Sequence, residues 1–192
     1  MQGTQLPPSV RAFFPDAIPI WPRTGRRRAP PLTHIDQIAI VVDDLDRAIN
    51  YFGAVYGWGP FYKGRGRGQR NYNGQDTEFE LLLAFALVGN IEIELVQPLS
   101  GTTPYSDHLR DQGSGLFHLR FATDNIDAHL EIMASQGIKP IFGWTHADQW
   151  VNVNLNTHEQ YGVRTELILT YERIREIIYT REQEPENVEP QL

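Results

Sequence analysis

Apolar and other residues alternate through 37–42, QIAIVV, and the period then changes. In the following DDLDRAINYFGAVYG, Leu45, Ala48, Ile49, Phe52 and Val55 fall three or four residues apart. Alternation marks a strand and the longer spacing a helix, so a strand here feeds a helix, with Asp43 or Asp44 placed to cap it. The same order recurs further on. HLRFAT at 118–123 reads as a strand, and DNIDAHLEIMASQG sets Ile126, Leu130 and Met133 on one helical face, closed by Gly137. Laid together, Q-IAIVVDD-L-D and H-LRFATDN-I-D match without a gap, Gln37 falling on His118, Leu45 on Ile126 and Asp46 on Asp127.

Three strand-like segments follow each helix: WGPFY, TEFELLLAFALV and NIEIELVQP in the first half, KPIFGW, QWVNVNLN and VRTELILT in the second. The chain therefore reads as a duplication. The expected fold is α+β: two tandem βαβββ modules, at about 34–97 and 116–170, joined by a connector at 98–115 and forming a curved half-barrel sheet around a cavity. Before it, residues 1–33 are rich in proline and predict an extended arm with Phe13, Phe14, Ile18, Ile20 and Trp21 as docking groups. After it, residues 171–192 predict a helix with Ile174, Ile177 and Ile178 on one face and then a disordered end.

Strand parity selects candidates for chemistry. Ile38, Ile40 and Val42 take the face that must cover the helix, which leaves Gln37, Ala39 and Val41 on the other. His34 has the helix-facing parity, so Gln37 is the better candidate. In NIEIELV the apolar set Ile91, Ile93 and Leu95 puts Glu92 and Glu94 opposite. Phe117, Leu119 and Phe121 put His118 and Arg120 opposite, and in VRTELIL the set Val163, Thr165, Leu167 and Leu169 leaves Arg164, Glu166 and Ile168. Each repeat thus offers one group on its first strand and one carboxylate on its last. Gln37, Glu94, His118 and Glu166 converge if the sheet curves, and such a set suits a divalent cation: Zn, Ni, Co, Mn or Mg.

Composition narrows the alternatives. With 17 basic and 24 acidic residues the formal charge is −7, which argues against nucleic acid or an anionic membrane as partner. No cysteine is present, so thiolate nucleophiles and zinc-thiolate sites are excluded. No apolar run reaches a membrane span and the first residues lack the pattern of a signal peptide, so a cytoplasmic location is expected. GRGRGQR at 64–70 lacks the strand-to-helix setting of a dinucleotide site. It reads as a mobile solvated loop, unless Lys63, Arg65, Arg67 and Arg70 contact an acidic substrate handle. Trp58, Phe61, Tyr62, Phe142, Trp144 and Trp150 gather near strand starts and are candidates to wall an apolar pocket. His146, Asp148 and His158 fall in turns and read as exposed; His108 and His129 fall on helices without a motif.

These segments, with IDQIAIVVDDLDRAINYF, GNIEIELVQPLSGTTPYSDHL, GSGLFHLRFATDNIDAHL and YGVRTELI as its carriers, resemble the vicinal oxygen chelate superfamily. That family includes glyoxalase I, methylmalonyl-CoA epimerase, extradiol dioxygenases and metal-free bleomycin-resistance proteins, and the resemblance spans about 34–170. It implies metal ligands at Gln37, Glu94, His118 and Glu166. Glu166 would double as the catalytic base, and Glu78 aligns with a second epimerase base; Arg120, Arg164 and Trp144 are the candidate substrate-binding residues. The activity implied is that of a divalent-metal-dependent isomerase, epimerase or lyase taking a proton from beside the carbonyl of a small-molecule carbonyl or acyl thioester substrate, in a homodimer. A metal-free protein that sequesters a small molecule is the alternative. An extradiol ring-cleaving dioxygenase is third, because Gln37 stands where such enzymes usually carry histidine.

Overall fold

Two copies of one βαβββ unit follow each other in the computed structural model, which describes residues 31–178. The first is β1 (Gln37–Val41), α1 (Leu45–Tyr56), β2 (Tyr62–Tyr72), β3 (Gln75–Val88) and β4 (Ile91–Ser100). A connecting helix α2 (Pro104–Gln112) leads to β5 (Gly115–Thr123), α3 (Ile126–Ala134), β6 (Pro140–His146) and β7 (Gln149–Leu155). A short α4 (His158–Tyr161), β8 (Arg164–Leu169) and α5 (Tyr171–Ile178) complete it. Most of the expected arm, and the end of the chain after 178, lie outside the described residues.

All eight strands join one mixed sheet in the order β2-β3-β4-β1-β5-β8-β7-β6. Within each unit the first strand runs parallel to the last, β1 beside β4 and β5 beside β8. The units meet where β1 and β5 pair antiparallel. The sheet curls until its edge strands β2 and β6 come into contact, nearly closing a barrel.

The duplication extends to the helix caps. Asp44 accepts a hydrogen bond from the Arg47 backbone N–H at the start of α1, and Asn125, at the equivalent position, accepts one from Ala128 at the start of α3. Leu45 and Ile126 follow those caps and are both buried. On the outer face Val42, Leu45, Ala84, Ile93 and Leu95 form one cluster under α1. Ile126, Val153, Leu155, Leu167 and Leu169 form its counterpart under α3, where Ile174 and Ile177 of α5 dock. Leu45, Leu95, Leu155 and Leu167 are essentially solvent-free, and each contributes roughly 1.5–3 kcal/mol of burial. On the concave side Ala39, Val41, Leu81, Val96, Tyr105, Phe117 and Phe142 make a third cluster, beneath which the polar cavity residues sit.

Two expectations need correction. The glycine-rich stretch is not a loop: residues 62–72 form β2, paired along their whole length with β3 from Tyr62↔Phe85 to Tyr72↔Gln75. Alternate glycines weaken a strand's own preference, but a long hairpin with Asn73 and Gly74 at its tip supplies the pairing that local sequence does not. Second, the alternation around His118 breaks. Between Ala39 and Ile40 the register slips from His118 to Leu116, so Phe117 turns inward and packs with Ala39 and Val41 while Leu116 is exposed. A bulge puts two consecutive side chains on the same side, which parity counting misses.

Gly101 closes β4 with φ +82, and a Cβ there would lie 2.0 Å from Glu78 O and 2.8 Å from Phe79 Cα. Gly64 has open space around it and ordinary φ. Gly101→Ala is expected to lower unfolding free energy by about 2 kcal/mol or more, read as a shift in urea midpoint. Gly64→Ala should stay within about 0.5 kcal/mol of wild type.

Candidate functional site

The four central strands bring the paired candidates together. Register sets Ala39 between His118 and Glu94, Gln37 between Arg120 and Glu92, and Arg120 opposite Glu166. Gln37, Glu94, His118 and Glu166 all point into the curl and are buried, at 1, 9, 1 and 4% exposure. Around His118 Nε2 lie Gln37 Oε1 at 2.9 Å, Glu166 Oε2 at 3.1 Å and Glu94 Oε2 at 3.7 Å.

Neighbouring groups fix each orientation. The Gln37 amide donates from Nε2 to Glu92 Oε1 at 2.6 Å, so its carbonyl oxygen faces the imidazole and accepts from it. His118 therefore carries its proton on Nε2. Its Nδ1 is buried and unpaired, as is Asn154 Oδ1. The other oxygen of Glu166 accepts from Asn152 Nδ2 at 2.8 Å and from Asn154 Nδ2 at 3.4 Å. Arg120 is held by Asp36, with Nε–Oδ1 at 3.1 Å, and lies 3.3 Å from Glu92 Oε1.

Charge is costly in this enclosure. Burial first, and the Glu166 charge second, push Glu94 up to about 8. Burial raises Glu166 to about 7 against the opposing pull of Arg120 and the Asn152 hydrogen bond. Burial, then the positive charge of Arg120, lowers His118 to about 3, so the imidazole is neutral. Two carboxylates thus face one neutral ring, and the site gains when positive charge arrives, as protons or as a cation.

Above the cluster is a cavity of about 280 Å³. Phe79, Leu81, Leu83 and Phe85 of β3, Tyr105 of α2 and Phe142 and Trp144 of β6 wall it, and Gln37, Glu94, Arg120 and Glu166 supply its polar side. It adjoins a wider groove of about 1010 Å³ between the ends of β2 and β6, sharing Arg70, Phe142, Gly143 and Trp144.

Other candidates lie elsewhere. Glu78 is exposed on β3, with parity opposite to Phe79 and Leu81, and lines a separate surface hollow with Arg67 and Gln69. Arg164 is buried against Phe117, 4.6 Å from the ring centroid, and is not among the side chains that wall the cavity. His34 is exposed. Of the four basic residues near the glycines, Arg70 reaches the cavity, whereas Lys63 pairs with Asp46 and Arg65 with Glu80 at the surface. Trp58 and Phe61 pack on the outer side against α1 instead of walling the pocket. Sequence alone missed Asn152, Asn154, Tyr105 and the β3 aromatics. The alternation of asparagines in NVNLN was the available signal for the first two.

Among the described residues, no three His, Cys, Asp or Glu side chains form a ready-made metal-holding group. Within the cluster Gln37 Oε1 is hydrogen-bonded to His118 Nε2, with Glu166 Oε2 3.1 Å from the same nitrogen. No helix among the described residues is long and apolar enough to cross a membrane.

Residues 36–153 match the model of the Glyoxalase/Bleomycin resistance protein/Dioxygenase superfamily. The uncharacterized protein YqjC of Bacillus subtilis (strain 168) is 24% identical over 112 residues, 57% of this chain and 71% of that one. Among solved structures, a hypothetical protein from Bacillus halodurans C-125 superposes with TM-score 0.52 at 19% identity, over 71% of this chain and 93% of its own. A Streptomyces coelicolor methylmalonyl-CoA epimerase variant, in complex with 2-nitronate-propionyl-CoA, does so with TM-score 0.50 at 22% identity, over 73% and 96%. At such identities the structural likeness speaks for the fold. Since the family model spans more than half of the sequence and the duplicated βαβββ sheet has the matching architecture, the chain belongs to the Glyoxalase/Bleomycin resistance protein/Dioxygenase superfamily.

Proposed function

We propose that this protein is a divalent-metal-dependent isomerase, epimerase or lyase that removes a proton from the carbon beside a substrate carbonyl. The observation that carries the reading is the convergence of Gln37 Oε1, Glu94 Oε2 and Glu166 Oε2 within 2.9–3.7 Å of His118 Nε2 in a buried cavity. Gln37, Glu94, His118 and Glu166 are the residues that would hold the ion. An oxygen-rich set with one imidazole suits Zn, Ni, Co, Mn or Mg.

Two unpaired atoms support the fit. A ring that gives Nε2 to a metal carries its proton on Nδ1 and wants an acceptor there. His118 Nδ1 and Asn154 Oδ1 are both buried and unpaired, and the nearby Asn154 side chain favours a proton on the ring.

A bound cation would polarise the substrate oxygen and offset charge developing there. Glu166 is the proposed base. Its carboxyl, pushed up to about 7 chiefly by burial, would be kept ionised beside a bound cation and so be available to take a proton at neutral pH. Asn152 and Asn154 hold one oxygen and leave the other toward the cavity. Phe79, Leu83 and Phe85 exclude water around the reacting carbon. Arg70 and Trp144, shared by cavity and groove, suit a substrate whose reactive end is small and whose remainder, such as an acyl thioester handle, extends outward.

A second reading, a metal-free protein that sequesters a small molecule, is favoured by the self-paired state of the cluster. Metal analysis separates the two. Protein purified without chelator should carry about one divalent ion per chain, and His118→Ala should lose it. Solvent deuterium exchange into a panel of acyl thioesters and 2-oxo compounds should fall by about 10²–10⁴-fold in Glu166→Gln. Metal-free wild type that still binds such compounds without exchange would establish the second reading. Asn154→Leu is expected to weaken metal binding about 10–100-fold with the ligands intact, measured by competition with a chromogenic chelator.

Stability should also report on the cluster. Glu94 and Glu166 keep their protons to about pH 8 and 7 in the folded chain, against an ordinary value of 4.5. Across that window the folded state binds more protons than the unfolded one, so raising pH removes stability. His118 acts oppositely but only between about 3 and its ordinary 6.5. From pH 6.5 to 8.5, chelator-treated protein is therefore expected to lose on the order of 2 kcal/mol in urea unfolding. Saturating divalent ion should abolish the loss.

A further inference from the structure

The glycine-rich strand β2 holds none of the reacting groups, yet it borders the cavity. Gly64, Gly66 and Gly68 lie opposite Leu83, Leu81 and Phe79, three of the β3 side chains that wall it. At Gly68 a Cβ would stand 3.6 Å from Arg70 Nη1 and 3.7 Å from the Phe79 ring. The half-buried Arg70 side chain therefore lies back over Gly68, and it lines both the cavity and the wider groove. Its Nη1 donates to the Gln69 carbonyl at 2.7 Å, and among the described residues no carboxylate pairs with it. Arg120, the other guanidinium of the cavity, is already held by Asp36 with Glu92 close by. The chain has 24 acidic residues against 17 basic ones, so Arg70 is not left unpaired for want of carboxylates. On the opposite bank of the groove Lys139 stands before β6, and Glu159 is the one acidic side chain lining it.

We propose that the substrate is an organic anion and that Arg70 selects it, binding a carboxylate or phosphate at the end away from the reacting carbon. The inference rests on the cavity being the substrate site of the activity proposed above. Charge fixes the orientation. A divalent ion on Glu94 and Glu166 would be balanced by those two carboxylates, and without one the floor has only the paired Arg120 as a cation. In either state the uncompensated positive charge stands at the mouth. An anionic carbonyl compound therefore enters with its neutral carbonyl end first. The guanidinium fork matches a carboxylate or phosphate with two parallel hydrogen bonds. Phe142 and Trp144, which line the same mouth, thin the water that would otherwise screen the pair. A volume of about 280 Å³ is at the small end for ligand sites, so a short apolar spacer, lying on Leu81 and Leu83, separates carbonyl from anion.

The test is titration calorimetry on the full chain, with 4-oxopentanoate and 2-oxopropylphosphonate as anionic probes and 4-oxopentanamide as the neutral isostere. Wild type should bind at least one anion about tenfold or more tightly than the amide. Whichever anion binds better identifies the recognised group as carboxylate or phosphate. Arg70→Met should erase the preference, and Arg70→Lys, which keeps the charge without the planar fork, should retain part of it. Arg67→Met removes the same charge from a separate surface hollow and should leave the preference intact. Anions that bind no better than the amide, a preference that survives in Arg70→Met, or one lost equally in Arg67→Met would overturn the proposal. No turnover enters these titrations. Anion preference through Arg70 without deuterium exchange refutes the proposed activity alone, and deuterium exchange without that preference refutes this inference alone.

Discussion

Everything polar in the middle of this molecule is held by the antiparallel pairing of β1 with β5. That seam aligns Ala39 with His118, and the parallel neighbours β4 and β8 then bring Glu94 and Glu166 to the same level. A slip of one residue would turn Gln37 and its strand neighbours to the outer face. It would place Ile38 and Ile40, which belong under α1, in the curl. The apolar requirement of the outer clusters thus fixes where the polar groups go. Function rests on a register that the hydrophobic effect enforces.

Burying an amide, an imidazole and two carboxylates together is expensive, and the surrounding structure shows how the expense is limited. Glu92 orients the amide, Asn152 and Asn154 brace one carboxylate, and Asp36 holds Arg120 close by. What remains is a deficit of positive charge, visible in two carboxyls that retain protons to neutral pH and above. The same deficit that weakens the folded chain leaves the site receptive to positive charge. Beside this region the buried Arg164 lies over the Phe117 ring with Nε and Nη1 unpaired.

The two halves have also diverged in how their outer faces are covered. Beneath α3 the cluster is sealed by Ile174 and Ile177 of α5 and by Leu32. On α1, Tyr51, Val55 and Tyr56 remain exposed, and the aromatic stack of Phe52 on Trp58, with centroids 5.0 Å apart, closes the inner part of the layer. Both units carry a side-chain cap and a first buried residue at equivalent positions, while the segments flanking the two units cover only the second of them.

The gapless match of Q-IAIVVDD-L-D to H-LRFATDN-I-D was enough to read the duplication, a cap at Asp43 or Asp44 and the face taken by Gln37, because helix and strand periods are local and each repeat checks the other; the cap at Asn125 came only with the structure. The pairing of Gln37 with His118 and of Glu94 with Glu166 was legible for the same reason. Parity cannot register a bulge, so Phe117 was assigned to the wrong face; nor can it foresee that a long hairpin makes a strand of GRGRGQR. It also cannot tell which of two cavity-facing side chains on one strand reaches the centre, and so it grouped Arg164 with Glu166. Depth, orientation and partners come from strands distant in sequence. The sequence set which groups face inward, and only the curl of the sheet decided which of them meet.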